Sequence, residues 1–187
     1  MIKKAIILCG GTGSRMYPTT LSTNKQLLPL YDKPMFFYPL SVLMLAGIRE
    51  YLFIINPGQK KKFEKLLGPT KDLGIKVKYI EQSKPNGLPE AFILGKSFIG
   101  KDSVALMLGD NFLYGSMLTP LIRNSLSMNS GANIYLYPSK KTSSYGVVEL
   151  DKNGEVKKII EKPKFTKSNL VITGLYAFDN NVVDYNH

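Results

Sequence analysis

The chain has 187 residues, 44% of them hydrophobic and 21% charged, with a formal net charge of +11. That length fits about one domain, large enough to bury roughly 70% of the surface its unfolded chain exposes, and the composition excludes disordered and collagen-like chains. A single cysteine, Cys9, and a single histidine, His187, exclude an internal disulfide framework, Ser-His-Asp or Cys-His catalysis, and a zinc site built on several His or Cys ligands.

Residues 4–9 are a short apolar run that predicts a buried strand, ended by Gly10-Gly11. Residues 35–48 have helical length and are closed by Gly47. A strand over 51–55 stops at Asn56-Pro57-Gly58, and a helix over 59–67 carries Phe63, Leu66 and Leu67 on one face. In 75–80 the alternation of Ile75, Val77 and Tyr79 with Lys76 and Lys78 is strand periodicity. Pro89 suits the first position of the next helix, where its missing N–H does no harm. A strand over 104–108 and a helix over 118–128 follow. This alternation predicts an α/β fold, a mostly parallel sheet with helices on both faces.

The last third reads differently. Strands over 134–137, 145–150, 156–160 and 171–178 leave little room for helices, and Asp151-Lys152-Asn153-Gly154 forms a turn between two of them. The sheet is therefore expected to be mixed. Residues 180–187 begin a further helix. No repeat, low-complexity tract or linker interrupts the chain, which predicts one domain over 1–187.

The apolar run Ala5 to Cys9 is too short for a signal-peptide core or a membrane span, and 35–48 is interrupted by Pro39 and Ser41. A soluble cytoplasmic protein is expected. The positive charge is carried by scattered lysines, apart from Lys60-Lys61-Lys62, with arginine only at Arg15, Arg49 and Arg123. Nucleic-acid binders cluster basic residues with aromatic or Arg readers, so solvated lysine faces are the better reading here. A basic balance also suits phosphorylated small molecules by electrostatic steering.

With His and Cys chemistry excluded, carboxylates, Lys, Arg and backbone amides remain. The sharpest local signal is Gly10-Gly11-Thr12-Gly13-Ser14-Arg15, directly after the first strand. Glycines let the backbone approach phosphate oxygens and adopt φ > 0, so that successive N–H groups form an anion nest. The dinucleotide fingerprint fails because Met16 stands where its third glycine belongs, and no Gly-Lys-Ser/Thr follows for a Walker loop. Taken alone, a glycine cluster is an ordinary strand-to-helix turn. Arg15 and Lys25 close behind it shift the reading towards a triphosphate. Asp110, after the strand over 104–108, stands where open α/β sheets bind ligands and could hold Mg²⁺, or simply cap a turn. Glu161-Lys162-Pro163 reads as a sugar and phosphate clamp or as a surface ion pair, and Gln82 with Gly87 could read a base.

Together these segments resemble one family. Gly10 to Pro18, then Lys25-Gln26-Leu27-Leu28-Pro29-Leu30-Tyr31-Asp32-Lys33-Pro34-Met35, are similar to the signature of sugar-1-phosphate nucleotidylyltransferases, and within them to the glucose-1-phosphate thymidylyltransferases. Tyr38 to Arg49, Leu108-Gly109-Asp110-Asn111, Tyr145-Gly146-Val147-Val148-Glu149, Glu161-Lys162-Pro163-Lys164 and Thr173-Gly174-Leu175-Tyr176 continue the match in order. The resemblance implies a Rossmann-like nucleotide-diphospho-sugar transferase fold. It also implies transfer of dTMP from dTTP to glucose 1-phosphate, in deoxysugar nucleotide synthesis. By the same resemblance Leu8, Gly10, Gly11, Thr12, Gly13, Arg15, Gln82 and Gly87 bind the nucleotide, and Asp110 binds Mg²⁺. Tyr145, Gly146, Glu161, Lys162, Ile172 and Tyr176 hold the sugar phosphate, with catalytic roles for Arg15, Lys25 and Lys162.

Cys9, Ser14 and Met16 are mild departures from the family pattern, whereas Asn86 and Pro89 alter the turn beside the base pocket. Family members continue past His187, so the resemblance makes this the N-terminal portion of such an enzyme. Its second metal-binding carboxylate and its homo-oligomer contacts are expected later in the chain. A nucleotide-binding remnant of impaired activity, and an enzyme using UTP, stay open as alternatives.

Overall fold

Strand β1 (Lys4–Cys9) runs into a loop that holds a two-residue ladder, β2 (Pro29–Leu30) against β3 (Lys33–Pro34), and then into α1 (Phe37–Leu45). There follow β4 (Glu50–Ile55), α2 (Lys60–Leu67), β5 (Lys76–Glu81), α3 (Leu88–Leu94), α4 (Lys96–Ile99), β6 (Val104–Leu108) and α5 (Leu118–Ser125). The computed structural model describes residues 1–187 apart from Pro85, Asn129 and His187, and the chain divides into two compact units. The reading that His187 is the only imidazole thus concerns a residue outside the described ones.

The first unit comprises Met1–Asn133 and Ala177–His187. Its strands lie in the order β5-β4-β1-β6, all parallel. Nearly continuous apolar sequences such as Tyr51-Leu52-Phe53-Ile54-Ile55 form these strands because both faces are covered. On one face Phe53 meets Phe36 and Phe63, with ring centroids 5.9 and 6.0 Å away. On the other, a Cβ on Gly95 would lie 2.9 Å from Ile6 and 3.3 Å from Leu52, so the backbone between α3 and α4 presses directly on the sheet. The parallel register pairs Cys9 with Ile55 and Leu8 with Leu108, which brings the carboxyl ends of β1, β4 and β6 level.

The second unit is Ile134–Tyr176. It contains most of β7 (Ala132–Pro138) and β10 (Leu170–Phe178), with all of β8 (Gly146–Leu150) and β9 (Val156–Glu161). β8 and β9 form an antiparallel hairpin, β8 also pairs antiparallel with β10, and β7 pairs with β10. The hairpin turn is closed by the Asp151 carboxylate, which accepts the N–H groups of Asn153 and Glu155, and by Gly154 at φ 82°. Parallel strands in one unit and antiparallel in the other give the mixed, mostly parallel organisation that the sequence implies.

Boundaries differ where backbone amides find other partners. Helix α1 starts at Phe37 rather than 35, because the N–H groups of Met35 and Phe36 donate back to the carbonyls of Leu28 and Gln26 (2.9 and 3.1 Å). Leu66 is 43% exposed while Phe63 and Leu67 are buried, so the buried pair is spaced i, i+4. Pro89 is the second residue of α3, after Leu88. The segment Asn180–Asn186 is a 3₁₀ helix, opened by Asp179, whose carboxylate accepts from Asn181 and Gly131. Among the described residues no helix is long and apolar enough to cross a membrane.

Candidate active site

The loop after β1 is held by polar side chains from distant positions. Asn56, just past β4, donates its side-chain amide to the Gly11 carbonyl (2.9 Å) and accepts the Gly11 N–H (3.0 Å). The Gly11 amide is therefore engaged with Asn56, and the open space lies above its α-carbon, where φ is 101°. Gly13 adopts φ 61°, and a Cβ there would stand 2.7 Å from the Thr20 methyl and 3.2 Å from Lys25. Both positions require glycine, one for conformation alone and one also for space. Buried Asn24 donates to the Cys9 carbonyl at 2.8 Å and accepts the Gln26 N–H at 2.8 Å, tying the second half of the loop to the end of β1.

Two adjoining compartments result. One is lined by Gly10, Gly13, Ser14, Arg15, Lys25, Gln26 and Asp110. The other is lined by Leu8, Gly10, Gly11, Gln26, Gln82, Gly87, Leu88, Leu108 and Asp110. Gly10, Gln26 and Asp110 are common to both. The first collects the cations and the glycine loop expected around a triphosphate. The second places an amide, Gln82, between small and apolar surfaces, as a planar base requires. Thr12 is exposed and lines neither compartment.

Lys25 Nζ lies 2.6 Å from Asp110 Oδ2, with a quarter to a third of each side chain exposed. The two residues expected to meet phosphate and metal thus neutralise each other. Behind them Cys9 is fully buried, and that burial, with the Asp110 charge beside it, pushes its thiol well above the usual range. Such a thiol stays protonated and is no nucleophile. Gly109 makes room for this packing, since a Cβ there would stand 2.6 Å from Cys9 Sγ and 2.7 Å from the Leu8 carbonyl oxygen.

The second unit gathers the remaining expected residues. Gly146 and Glu161 are cross-strand partners in the β8–β9 hairpin. A Cβ on Gly146 would lie 3.2 Å from Ile172 and 3.3 Å from Glu161 Oε2, so the glycine leaves a hollow bordered by an apolar and an anionic group. Lys162 takes φ 42°, donates its N–H to the Tyr145 carbonyl (3.0 Å) and pairs through Nζ with Glu161 Oε1 (3.0 Å). A left-handed lysine is strained, and here it turns the ammonium back onto the preceding carboxylate. Burial raises the Tyr176 phenol above its usual value, and the nearby Glu161 charge adds to the shift.

Sequence reading assigns no role to four residues of this arrangement: Asn56, read only as part of a strand stop, Gln26, named only within the family-like segment 25–35, and Asn24 and Glu90, which it passes over. Gln26 is 5% exposed, and its Oε1 is buried with no hydrogen-bond partner while it lines both compartments. Its place beside Lys25 within the family-like segment is the available clue. Glu90 accepts from the Gln82 amide and from Asn86.

The sequence profile described as nucleotidyl transferase matches residues 4–187. A glucose-1-phosphate thymidylyltransferase from Neisseria meningitidis serogroup A is 48% identical over 97% of this chain and 63% of its own length. One from Xanthomonas campestris pv. campestris is 45% identical over 98% and 62%. The chain thus spans less than two thirds of the length of these curated relatives. Among solved structures, a protein from Bacillus anthracis described as a glucose-1-phosphate thymidylyltransferase, in complex with sucrose, superposes with a TM-score of 0.90 at 32% identity, over 97% of this chain and 73% of that one. A UDP-glucose pyrophosphorylase complexed with UDP-glucose shares the fold at a TM-score of 0.82 and 23% identity. The fold is therefore the Rossmann-like α/β fold of nucleotidyltransferases. With the glycine loop, Lys25 and Asp110 meeting where β1 and β6 end, and with the profile match running through residue 187, the chain belongs to the nucleotidyl transferase family.

Proposed function

We propose that this chain carries the active site for transfer of dTMP from dTTP to glucose 1-phosphate, giving dTDP-glucose and pyrophosphate. The observation that carries the reading is the convergence of Gly13, Arg15, Lys25 and Asp110 in one compartment beside a second lined by Leu8, Gln82 and Gly87. The 45–48% identical relatives of that name support the choice of reaction.

In this reading a phosphate oxygen of glucose 1-phosphate attacks the α-phosphorus of dTTP. The bond from that phosphorus to the bridging oxygen breaks, and pyrophosphate leaves with the electron pair. Such a transfer needs in-line positioning and charge stabilisation, with little covalent chemistry from the protein. Arg15 and the glycine loop hold the β- and γ-phosphates, and Lys25 offsets charge at the α-phosphate. Gln82 and Gly87 hold thymine, flanked by Leu8. Glu161 binds sugar hydroxyls, Lys162 the sugar's phosphate, and Tyr145, Gly146, Ile172 and Tyr176 shape that pocket.

Among the described residues no three His, Cys, Asp or Glu side chains cluster as a metal-binding set. Asp110 is one hard oxygen donor bordering the triphosphate compartment. That donor set fits Mg²⁺, which takes one or two carboxylates and completes its shell with phosphates and water. Bound there, Mg²⁺ would supply charge neutralisation at the phosphates. Both substrates are metabolites of the cytoplasm, where we place the protein.

The test is pyrophosphate release from dTTP plus glucose 1-phosphate with Mg²⁺, run beside calorimetric dTTP binding. Release is expected only with both substrates present. Absence of both release and dTTP binding would overturn the reading. Faster turnover of UTP than of dTTP would instead assign the enzyme to uridylyl transfer; a solved UTP-bound protein of 26% identity shares the fold.

A further inference from the structure

Gln82 follows β5 and is buried, with its backbone N–H bonded to the Ile55 carbonyl at 2.9 Å. Its side-chain amide is a symmetric shape with asymmetric chemistry: one end accepts and the other donates. Turning it over by 180° would change which base it can pair with, at little steric cost. The structure contains a group that forbids this rotation.

The Gln82 Nε2 donates to Glu90 Oε2, on the first turn of α3. The same carboxylate accepts from the Asn86 backbone N–H at 3.2 Å and, through Oε1, from the Asn86 side-chain amide at 3.1 Å. An ionised carboxylate only accepts hydrogen bonds. The Gln82 nitrogen must therefore face Glu90, since the reverse orientation would set two oxygens against each other. The carbonyl oxygen is left towards Gly10, where a Cβ would lie 3.2 Å from Gln82 Oε1. Gly10 and Gln82 line the same compartment.

We infer that Glu90 is a specificity-setting positioning residue, which locks the Gln82 amide so that the site takes bases with an imide edge and rejects cytosine. This rests on the nucleotide reading given above. Thymine and uracil present an N–H donor at N3 beside the carbonyl at C4. A locked amide meets them with Oε1 accepting from N3–H and the second Nε2 hydrogen donating to O4. Cytosine presents an acceptor at N3 beside an amino group, the opposite pattern. Pairing it needs the rotation that Glu90 prevents, and a site built for hydrogen bonding rejects a mismatched analogue strongly because buried polar groups are left unpaired.

Glu90→Gln keeps the size of the side chain but can donate as well as accept, so either orientation of Gln82 becomes satisfied. The experiment is calorimetric binding of dTTP and dCTP to the unaltered chain, to Glu90→Gln and to Asn86→Ala. The unaltered chain is expected to prefer dTTP. In Glu90→Gln the preference should fall by at least about tenfold, largely through tighter dCTP binding. Asn86→Ala removes a donor from the same carboxylate without touching Gln82, and its preference should stay within twofold of the unaltered value. Equal weakening of both nucleotides in Glu90→Gln, or an unchanged ratio, would overturn the role of Glu90 while leaving the nucleotide site standing. Failure of the unaltered chain to bind any nucleotide would overturn the proposed function and this inference with it. A ¹H–¹⁵N spectrum of the nucleotide-free protein gives a check that survives misfolding of the variant. One slowly exchanging Gln82 side-chain proton is expected, and rapid exchange of both would overturn the lock.

Discussion

In the first unit β4 is buried at five of its six positions, whereas in the second β9 is exposed at five of its six. The two units consequently place their chemical groups by different means. Where strands are covered on both sides, polar side chains find room at the strand ends only if their neighbours shrink: Gly13 and Gly109 clear the space in which Lys25, Asp110 and Gln26 meet. On the more open hairpin, where a Cβ at Gly146 would still lie 3.2 Å from Ile172, orientation comes also from a cross-strand pairing and from the left-handed turn at Lys162. The covered sheet positions by subtraction, the open hairpin by backbone geometry as well.

The contrast is most easily broken at the cores. Phe53→Ala removes a fully buried ring that contacts Phe36 and Phe63, and should cost about 3–5 kcal/mol in denaturant unfolding. Ile159→Ala in β9, at a side chain that is 52% exposed, should stay within about 0.5 kcal/mol. Comparable losses would show that β9 is covered in solution.

Gly109→Ala tests the subtraction directly. The added methyl meets a sulfur and a backbone oxygen inside 3 Å, so a loss of about 3 kcal/mol is expected, against almost none for Gly115→Ala, where nothing lies within 4 Å. Thermal melts of the two variants measured side by side decide it.

Ligand binding should separate the units as well. Arg15→Ala is expected to weaken dTTP by about 1.5–3 kcal/mol, as loss of a charge-assisted contact does, while Lys61→Ala, on the exposed face of α2, leaves it unchanged. Lys162→Ala should instead weaken glucose 1-phosphate and spare dTTP. If calorimetry shows both ligands responding to both substitutions, the division of labour fails.

The smallest effect concerns Tyr79. Its hydroxyl is buried without a hydrogen-bond partner, and burial pushes the phenol up to about 12, with the Glu64 charge adding to the shift. Tyr79→Phe should therefore be neutral, or stabilising by up to about 1 kcal/mol, at pH 7. Above pH ~10 the unfolded chain releases this proton while the folded one keeps it, so stability falls from there to about pH 12. The variant should flatten that fall in an alkaline stability series, and an unchanged slope would remove Tyr79 from the account.

How much of this could be read beforehand follows from what each feature depends on. β1, β4 and β6 were legible because unbroken apolar runs have few other fates, and β5 because Val77 and Tyr79 alternate with lysines. The glycine loop and Asp110 stand out in the sequence because both stand next to a strand end. The polar residues that hold the loop could not. Asn56 acts on a glycine 45 positions earlier and Asn24 on a carbonyl 15 positions earlier, contacts that leave no local pattern. The start of α1 escapes the local pattern for the same reason, since the competing acceptors at Gln26 and Leu28 come from another segment. Local periodicity carries the elements, and the long-range hydrogen bonds carry their ends.

The paired hydrogen bonds between Asn56 and Gly11 have a kinetic corollary. A loop joined at both its N–H and its C=O to the end of a neighbouring strand loses its conformational freedom when the sheet assembles, well before any ligand arrives. The entropy of ordering it is then part of the folding transition, and the triphosphate we propose for this site would meet a loop backbone already arranged. Association at such a loop backbone would be limited by collision, orientation and the opening of the Lys25–Asp110 pair, with no slow backbone rearrangement to wait for. Loosening the loop at Asn56 would leave its chemical groups intact and still turn a fast encounter into a gated one.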